Sequence, residues 1–166
     1  DTGSNGYFSS TPAIRKDLQG KGKLTNSVIG YGSNSSGLYG IGDGDSLYLS
    51  MVSETKMGNL TIPEQVVSFT PGARTLGTKF LKHYRVIIDW SVKEIILIPT
   101  DEFVNNTNES FGLSPFYNND ELHVRMVMFG SEADKQGIKL GDRILEVNGN
   151  DMRIFTKDMW CDVIYN

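Results

Sequence analysis

The chain opens on residues equipped for acid–base chemistry. Asp1-Thr2-Gly3-Ser4 sets a carboxylate on a tight turn, and the glycine two positions on lets a second backbone or a substrate come close. Such a carboxylate is half of a pair. Hydrolysis by a water held between two carboxyl groups needs them to share one proton, because two close like charges push their pKa values apart. No second Asp-Thr-Gly or Asp-Ser-Gly occurs in the sequence.

Other residue types that could do chemistry are poorly placed for it. His83 and His123 stand apart, with no cysteine or carboxylate at metal-ligand spacing, so no metal is expected. Cys161, the single cysteine, falls on the apolar side of a predicted helix and reads as a small buried hydrophobe; alone it can close no internal disulfide. From Gly30 to Gly44 there are six glycines, but neither the dinucleotide spacing nor the Lys-Ser/Thr ending of a phosphate loop is present. Asp43 and Asp45 lack the rest of a calcium loop, and a hairpin turn accounts for them. No cofactor is expected. Asn34, Asn59, Asn105 and Asn108 begin Asn-x-Ser/Thr sequons, which matter only in a eukaryotic secretory host.

The elements that must position the opening carboxylate read as mostly β. With 16 basic residues against 20 acidic ones, nothing favours a nucleic acid or an anionic membrane as partner. No stretch approaches the roughly 20 apolar residues of a membrane span. Tyr7 to Ile14 reads as a strand end or loop, and Arg15 to Gly22 as polar and glycine-punctuated. Ser27-Val28-Ile29 and Leu47-Tyr48-Leu49 are the arms of a glycine-rich hairpin whose tip region holds Gly37, Leu38, Tyr39 and Gly40. Val66 to Phe69 reads as a buried strand. Phe80, Leu81 and Tyr84 recur at helical spacing, which predicts a short helix over Thr78 to Arg85. Val86 to Trp90 and Glu94 to Ile98 then form a hairpin apolar enough to be mostly buried. Asp101 to Ser110 is a linker. Beyond it come strands opening at Phe111 and at Leu122, a helical turn at Ser131 to Gly137, and a last helix from Thr156 bearing Met159, Trp160, Val163 and Ile164.

Taken in order, Asp1-Thr2-Gly3, a glycine-rich hairpin, Leu76-Gly77 leading into a helix and a closing hairpin resemble a retropepsin-like aspartic peptidase lobe over residues 1–100. Thr75 departs from the aliphatic residue usual there, and no strand precedes Asp1, so the chain reads as a piece of a longer protein. Residues 111–166 resemble a PDZ domain lacking its C-terminal strand. Ile138-Lys139-Leu140-Gly141-Asp142-Arg143-Ile144-Leu145-Glu146-Val147-Asn148-Gly149 is similar to the core signature of that family, and Phe111-Gly112-Leu113 to its carboxylate-binding loop. The resemblance implies an aspartic endopeptidase of a bacterial envelope or periplasm. In it Asp1 acts with a partner carboxylate from a second lobe or a homodimer, Thr2 braces the site, Ser4 bonds the carboxylate, and Leu76 and Gly77 support it. The hairpin at Gly37 to Gly40 would be a flap, and the PDZ module would bind a peptide or substrate tail by strand addition. A competing reading keeps both domains as a non-catalytic peptide-binding scaffold. Alone, the chain offers one open-sided carboxylate and is expected to be inactive.

Overall fold

A computed structural model of the protein describes residues 3–4, 6–33, 36–37, 40–72, 74–100, 110–118, 120–156 and 158–159. In chain order the elements are β1 (Phe8–Ser10), α1 (Pro12–Gly20), β2 (Leu24–Gly32), β3 (Ser36–Gly37), β4 (Gly40–Ile41), β5 (Asp45–Val52), β6 (Thr55–Met57), β7 (Leu60–Ile62), β8 (Gln65–Phe69) and β9 (Thr75–Leu76). They continue with α2 (Thr78–Leu81), β10 (Tyr84–Asp89), β11 (Glu94–Pro99), β12 (Leu113–Asn118), β13 (Glu121–Met128), α3 (Glu132–Lys135), β14 (Glu146–Val147) and β15 (Asn150–Asp151). The fold is mostly β. No helix among the described residues is long and apolar enough to cross a membrane.

The chain divides into two compact units, one built from residues 1–28 and 48–108, the other from 29–47 and 109–166. Strands β2 and β5 each run from one unit into the other along the chain. Gly30 and Gly32 therefore cluster with residues after 109.

In the first unit, β8 is central. It pairs antiparallel with β5 (Tyr48 opposite Phe69) and parallel with β1 (Phe8 opposite Val67), and β9 pairs antiparallel with β1. Phe69, Val67 and Val52 are buried, and Ile14 and Leu18 of α1 pack against them. A second cluster gathers Ile62, Phe80 and Tyr84 with Tyr7, Phe8 and Leu76. The ring of Phe80 lies 4.7 Å from Phe8 and 4.9 Å from Tyr84. Phe69 and Phe80 are fully buried, each stabilising the unit by about 1.5–3 kcal/mol.

Three sequence expectations differ from this unit. Pro12 to Gly20 is a helix, capped by Thr11, whose Oγ1 accepts from Ile14 N, with Pro12 in the first turn where its missing N–H costs nothing. The predicted helix over Thr78 to Arg85 stops at Leu81, because Tyr84 already opens β10. The β10–β11 hairpin forms with Val86 opposite Leu97 and Ile88 opposite Ile95. It is not mostly buried, however: Ile88 is 49% and Ile95 67% exposed. The hairpin pairs with no third strand among the described residues; Tyr84 and Leu97 pack into the Ile62–Phe80 cluster, while Val86, Ile87, Ile88, Ile95, Ile96 and Ile98 stay exposed.

In the second unit β13 is central. It pairs antiparallel with β12 on one side, and Met126 to Met128 pair with Gly32 to Gly30 of β2 on the other. That second pairing depends on glycine. A Cβ on Gly30 would stand 2.4 Å from Met128 Sδ, and one on Gly32 would stand 2.2 Å from Arg125 O. Leu122, Val124, Val127, Ala133 and Met152 form the buried interior. Asn148-Gly149, both at positive φ, turn β14 into β15 as a tight hairpin.

Candidate functional site

Two places in the molecule gather the residues singled out from the sequence. The first is the turn at Gly3 to Tyr7 in the first unit. Leu76 of β9 lies opposite Phe8, and the chain then crosses the turn: Gly77 N donates to Tyr7 O (2.8 Å), Thr78 N to Ser4 O (2.7 Å) and Lys79 N to Gly6 O (3.2 Å). Thr78 Oγ1 also donates to Ser4 O at 3.0 Å. Only glycine fits at 77, since a Cβ there would lie 2.1 Å from Gly6 O. Ser4, Leu76 and Gly77 are thus brought together. Asp1 and Thr2 lie outside the described residues, while Gly3 is exposed beside them.

The second place is the entrance to β12. Ser131 caps α3, its Oγ accepting from Asp134 N at 3.2 Å, while Ala133 N donates to Phe111 O (3.1 Å) and Met128 N to Gly112 O (2.7 Å). Both carbonyls of the loop are therefore tied into the unit. Gly112 holds φ +86, where an L side chain is strained, and a Cβ on it would stand 2.1 Å from Ser131 Cβ. Gly112 N donates to Ser110 Oγ at 3.1 Å, and Phe111 presents its ring to solvent. An apolar cavity of about 910 Å³ lies alongside, lined by Phe111, Leu113, Pro115, Leu122, Val124 and Ile138 among others.

The backbone of β12 faces this entrance in a defined register. Val124 N donates to Asp142 O (2.9 Å) and Val124 O accepts from Gly141 N (2.8 Å), so Val124 turns its polar groups away from β12. Pro115 lies opposite Val124 and Tyr117 opposite Leu122, whose carbonyl is likewise taken by Ile144 N at 2.8 Å. Residues opposite each other in such non-bonded antiparallel pairs both point outward. The Met128–Gly112 bond puts Leu113 in the same class. Leu113, Pro115 and Tyr117 therefore direct their backbone groups to the outer edge of β12, which pairs with no strand among the described residues.

Charges around this sheet are mostly satisfied. Glu121 bridges Arg143 (2.9 Å) and His123 Nε2 (3.0 Å), and His123 Nδ1 lies 3.1 Å from Gly141 O. Arg125 donates to Ser114 Oγ and lies over the Phe116 ring; burial lowers its pKa. Arg153 clamps Asp151 through both carboxylate oxygens and holds that carboxyl down at about 2.

For the remaining candidates, Gly37 and Gly40 pair across the β3–β4 ladder. Leu38, Tyr39 and Cys161 lie outside the described residues. His83 follows α2 and carries a backbone bond to Thr100. Met159 N donates to Thr156 Oγ1 at 3.3 Å, a cap at the start predicted for the last helix. Sequence reasoning missed Met128, Ser131 and Pro115. Pro115 alone carried a readable signal, because a proline inside a strand pattern marks an edge.

A family model for the PDZ domain matches residues 102–165. No curated protein and no solved structure matches the chain significantly. Residues 102–165 are thus a PDZ domain, which suggests a peptide-binding or scaffold role. No match supports a peptidase lobe in residues 1–100.

Proposed function

We propose that the second unit binds the C-terminal tail of a peptide or protein, which adds as an antiparallel strand along β12 with its carboxylate at Phe111-Gly112-Leu113. The observation that carries this reading is the open edge of β12, which starts at a loop whose carbonyls are anchored inward. With Phe111 O and Gly112 O taken by Ala133 N and Met128 N, and Gly112 N given to Ser110 Oγ, the loop has the amides of Phe111 and Leu113, not its anchored carbonyls, to offer an anion. The adjoining apolar cavity suits the side chain of the last residue. A peptide with a free C-terminal carboxylate should bind the full chain more tightly than its amidated form. Equal affinity for the two, or binding of neither across a diverse library, overturns the reading.

A second reading, for the first unit, is a retropepsin-like lobe of an aspartic peptidase in a bacterial envelope or periplasm. It is favoured by the crossing of Leu76-Gly77-Thr78 over the turn that follows Asp1-Thr2-Gly3. In this reading Asp1 shares a proton with a carboxylate from a second lobe or a second copy, Thr2 braces the pair, and Ser4 lies beside it. Where the protein, with a partner carboxylate supplied, cleaves peptides, Asp1→Asn should abolish cleavage and leave the fold intact. Cleavage at the parental rate would remove Asp1 from the mechanism. A scaffold without catalysis remains the outcome if no form of the protein cleaves.

A further inference from the structure

The outer edge of β12 has a gap in its ladder. Its outward-facing residues are Leu113, Pro115 and Tyr117, and the second of them has no N–H to give. A peptide added antiparallel, with its last residue opposite Leu113, sets its third residue from the end opposite Pro115 in a bonded pair. That residue can donate its N–H to Pro115 O. Its own carbonyl has no donor across the groove.

We propose that Pro115 is a specificity-determining residue that confines recognition to the end of the tail. The carboxylate, the terminal side chain and the bonds at Leu113 are read in full, and the ladder is interrupted at the next rung. The partner is therefore a tail selected chiefly by its free carboxylate and last residue, with a loose demand on what lies further upstream. Upstream residues can still reach Tyr117, whose N–H and C=O face the same edge, but only across a rung missing one bond. The same gap protects the edge. A long strand from another copy of this chain would meet the missing donor at the centre of the ladder, a device that keeps exposed edges from pairing at random. The constraint is local, because Ser114 and Phe116, which flank the proline, point inward to Met126 and His123 of β13 and leave that pairing intact.

This inference rests on the proposed peptide-binding reading, and its test separates the two. Pro115→Ala restores an outward N–H at an edge position, where the proline supports no bond to β13. Affinity of the full chain would be measured by calorimetry for a dipeptide and a hexapeptide sharing the same free C-terminal residue. The variant should bind the hexapeptide roughly three- to tenfold more tightly, the effect of one net hydrogen bond, and the dipeptide unchanged. A hexapeptide in which the amide joining the third residue's carbonyl to the next residue is replaced by an ester, whose carbonyl is a poorer acceptor, should lose that gain in the variant and behave like the ordinary hexapeptide in the parent. If the variant gains nothing for the hexapeptide, or gains equally for both peptides, the inference is wrong while the binding reading stands. If neither protein distinguishes the free carboxylate from its amide, both readings fall. Should Pro115→Ala change the fold, Pro115→Val offers the same N–H with a better strand former, and the ester comparison still decides.

Discussion

Replacing Gly112 by alanine probes the carboxylate loop most directly. Its φ of +86 costs an L residue about 1–2 kcal/mol. The new Cβ would also stand 2.1 Å from Ser131 Cβ and 2.3 Å from Ser131 Oγ, against ordinary contacts near 3.4–4 Å. Relief requires the loop to move off Met128 N and Ala133 N, or Ser131 to leave its cap position on α3, and overpacking of this kind costs about 1–3 kcal/mol. Together the two effects come to about 2–5 kcal/mol. If they fall on the loop, affinity for a free-carboxylate peptide should drop by about thirtyfold or more, at 1.4 kcal/mol per tenfold. Gly130→Ala is the control, with φ +74 and nothing within 4 Å of the added Cβ. It carries the backbone cost without the collision and should leave affinity within about threefold of the parent. The assay is calorimetric titration of each variant of the 166-residue chain, with thermal melts to confirm folding. Adding Ser131→Gly to Gly112→Ala should recover part of the loss, since it removes the colliding carbon; a double-mutant cycle measures the coupling. Full affinity in Gly112→Ala, or an equal loss in Gly130→Ala, would refute the reasoning.

Further outcomes follow from the same geometry. Gly77→Ala has no backbone strain to bear, but its Cβ meets Gly6 O at 2.1 Å, so urea unfolding of the first unit should show a loss of about 2–4 kcal/mol. Gly20→Ala, with nothing within 4 Å, should be neutral or stabilising by up to about 1 kcal/mol, and a large loss there would show that contact distance is a poor guide. Asp151, held at about 2 first of all by the side-chain bond from Arg153, lies below its ordinary 3.8 in the folded state. Its contribution is thus present above pH near 4 and is lost as pH falls towards 2. A carboxyl titration followed by NMR should give that low midpoint in the parent and one near the ordinary value in Arg153→Gln. Gly32→Ala, with φ +139 and a Cβ 2.2 Å from Arg125 O, should speed hydrogen exchange at Ser33 N, which bonds Arg125 O, and an unchanged rate would argue against the β2–β13 pairing.

What could be read from the sequence divides by the range of the signal. Local patterns came through: the β10–β11 hairpin, the strand at Val66 to Phe69 and the helical turn at Ser131 to Gly137 each depend on residues a few positions apart. The helix α1 had such a signal in Thr11-Pro12, but glycines at 20 and 22 and a polar face hid its two packing residues, Ile14 and Leu18. Burial of β10 and β11 could not be read, because an apolar pattern states what a strand would bury and not whether a neighbouring layer exists to cover it. Pairing of Gly30–Gly32 with Met126–Met128 joins segments nearly a hundred residues apart, and glycine contributes no hydrophobic period by which to detect it. Glycine nevertheless carried more of the site than any other residue type, for two different reasons. At Gly112 it supplies a backbone angle as well as space; at Gly77 and Gly30 it supplies space alone, letting one backbone or a methionine sulfur approach where any side chain would intrude. Composition could show that close approaches exist but not which chains meet at them. Pro115 is the opposite case, a residue whose effect lies in an absent donor, so its meaning became definite only when the bonds of Val124 to Asp142 and Gly141 fixed which way that edge faces.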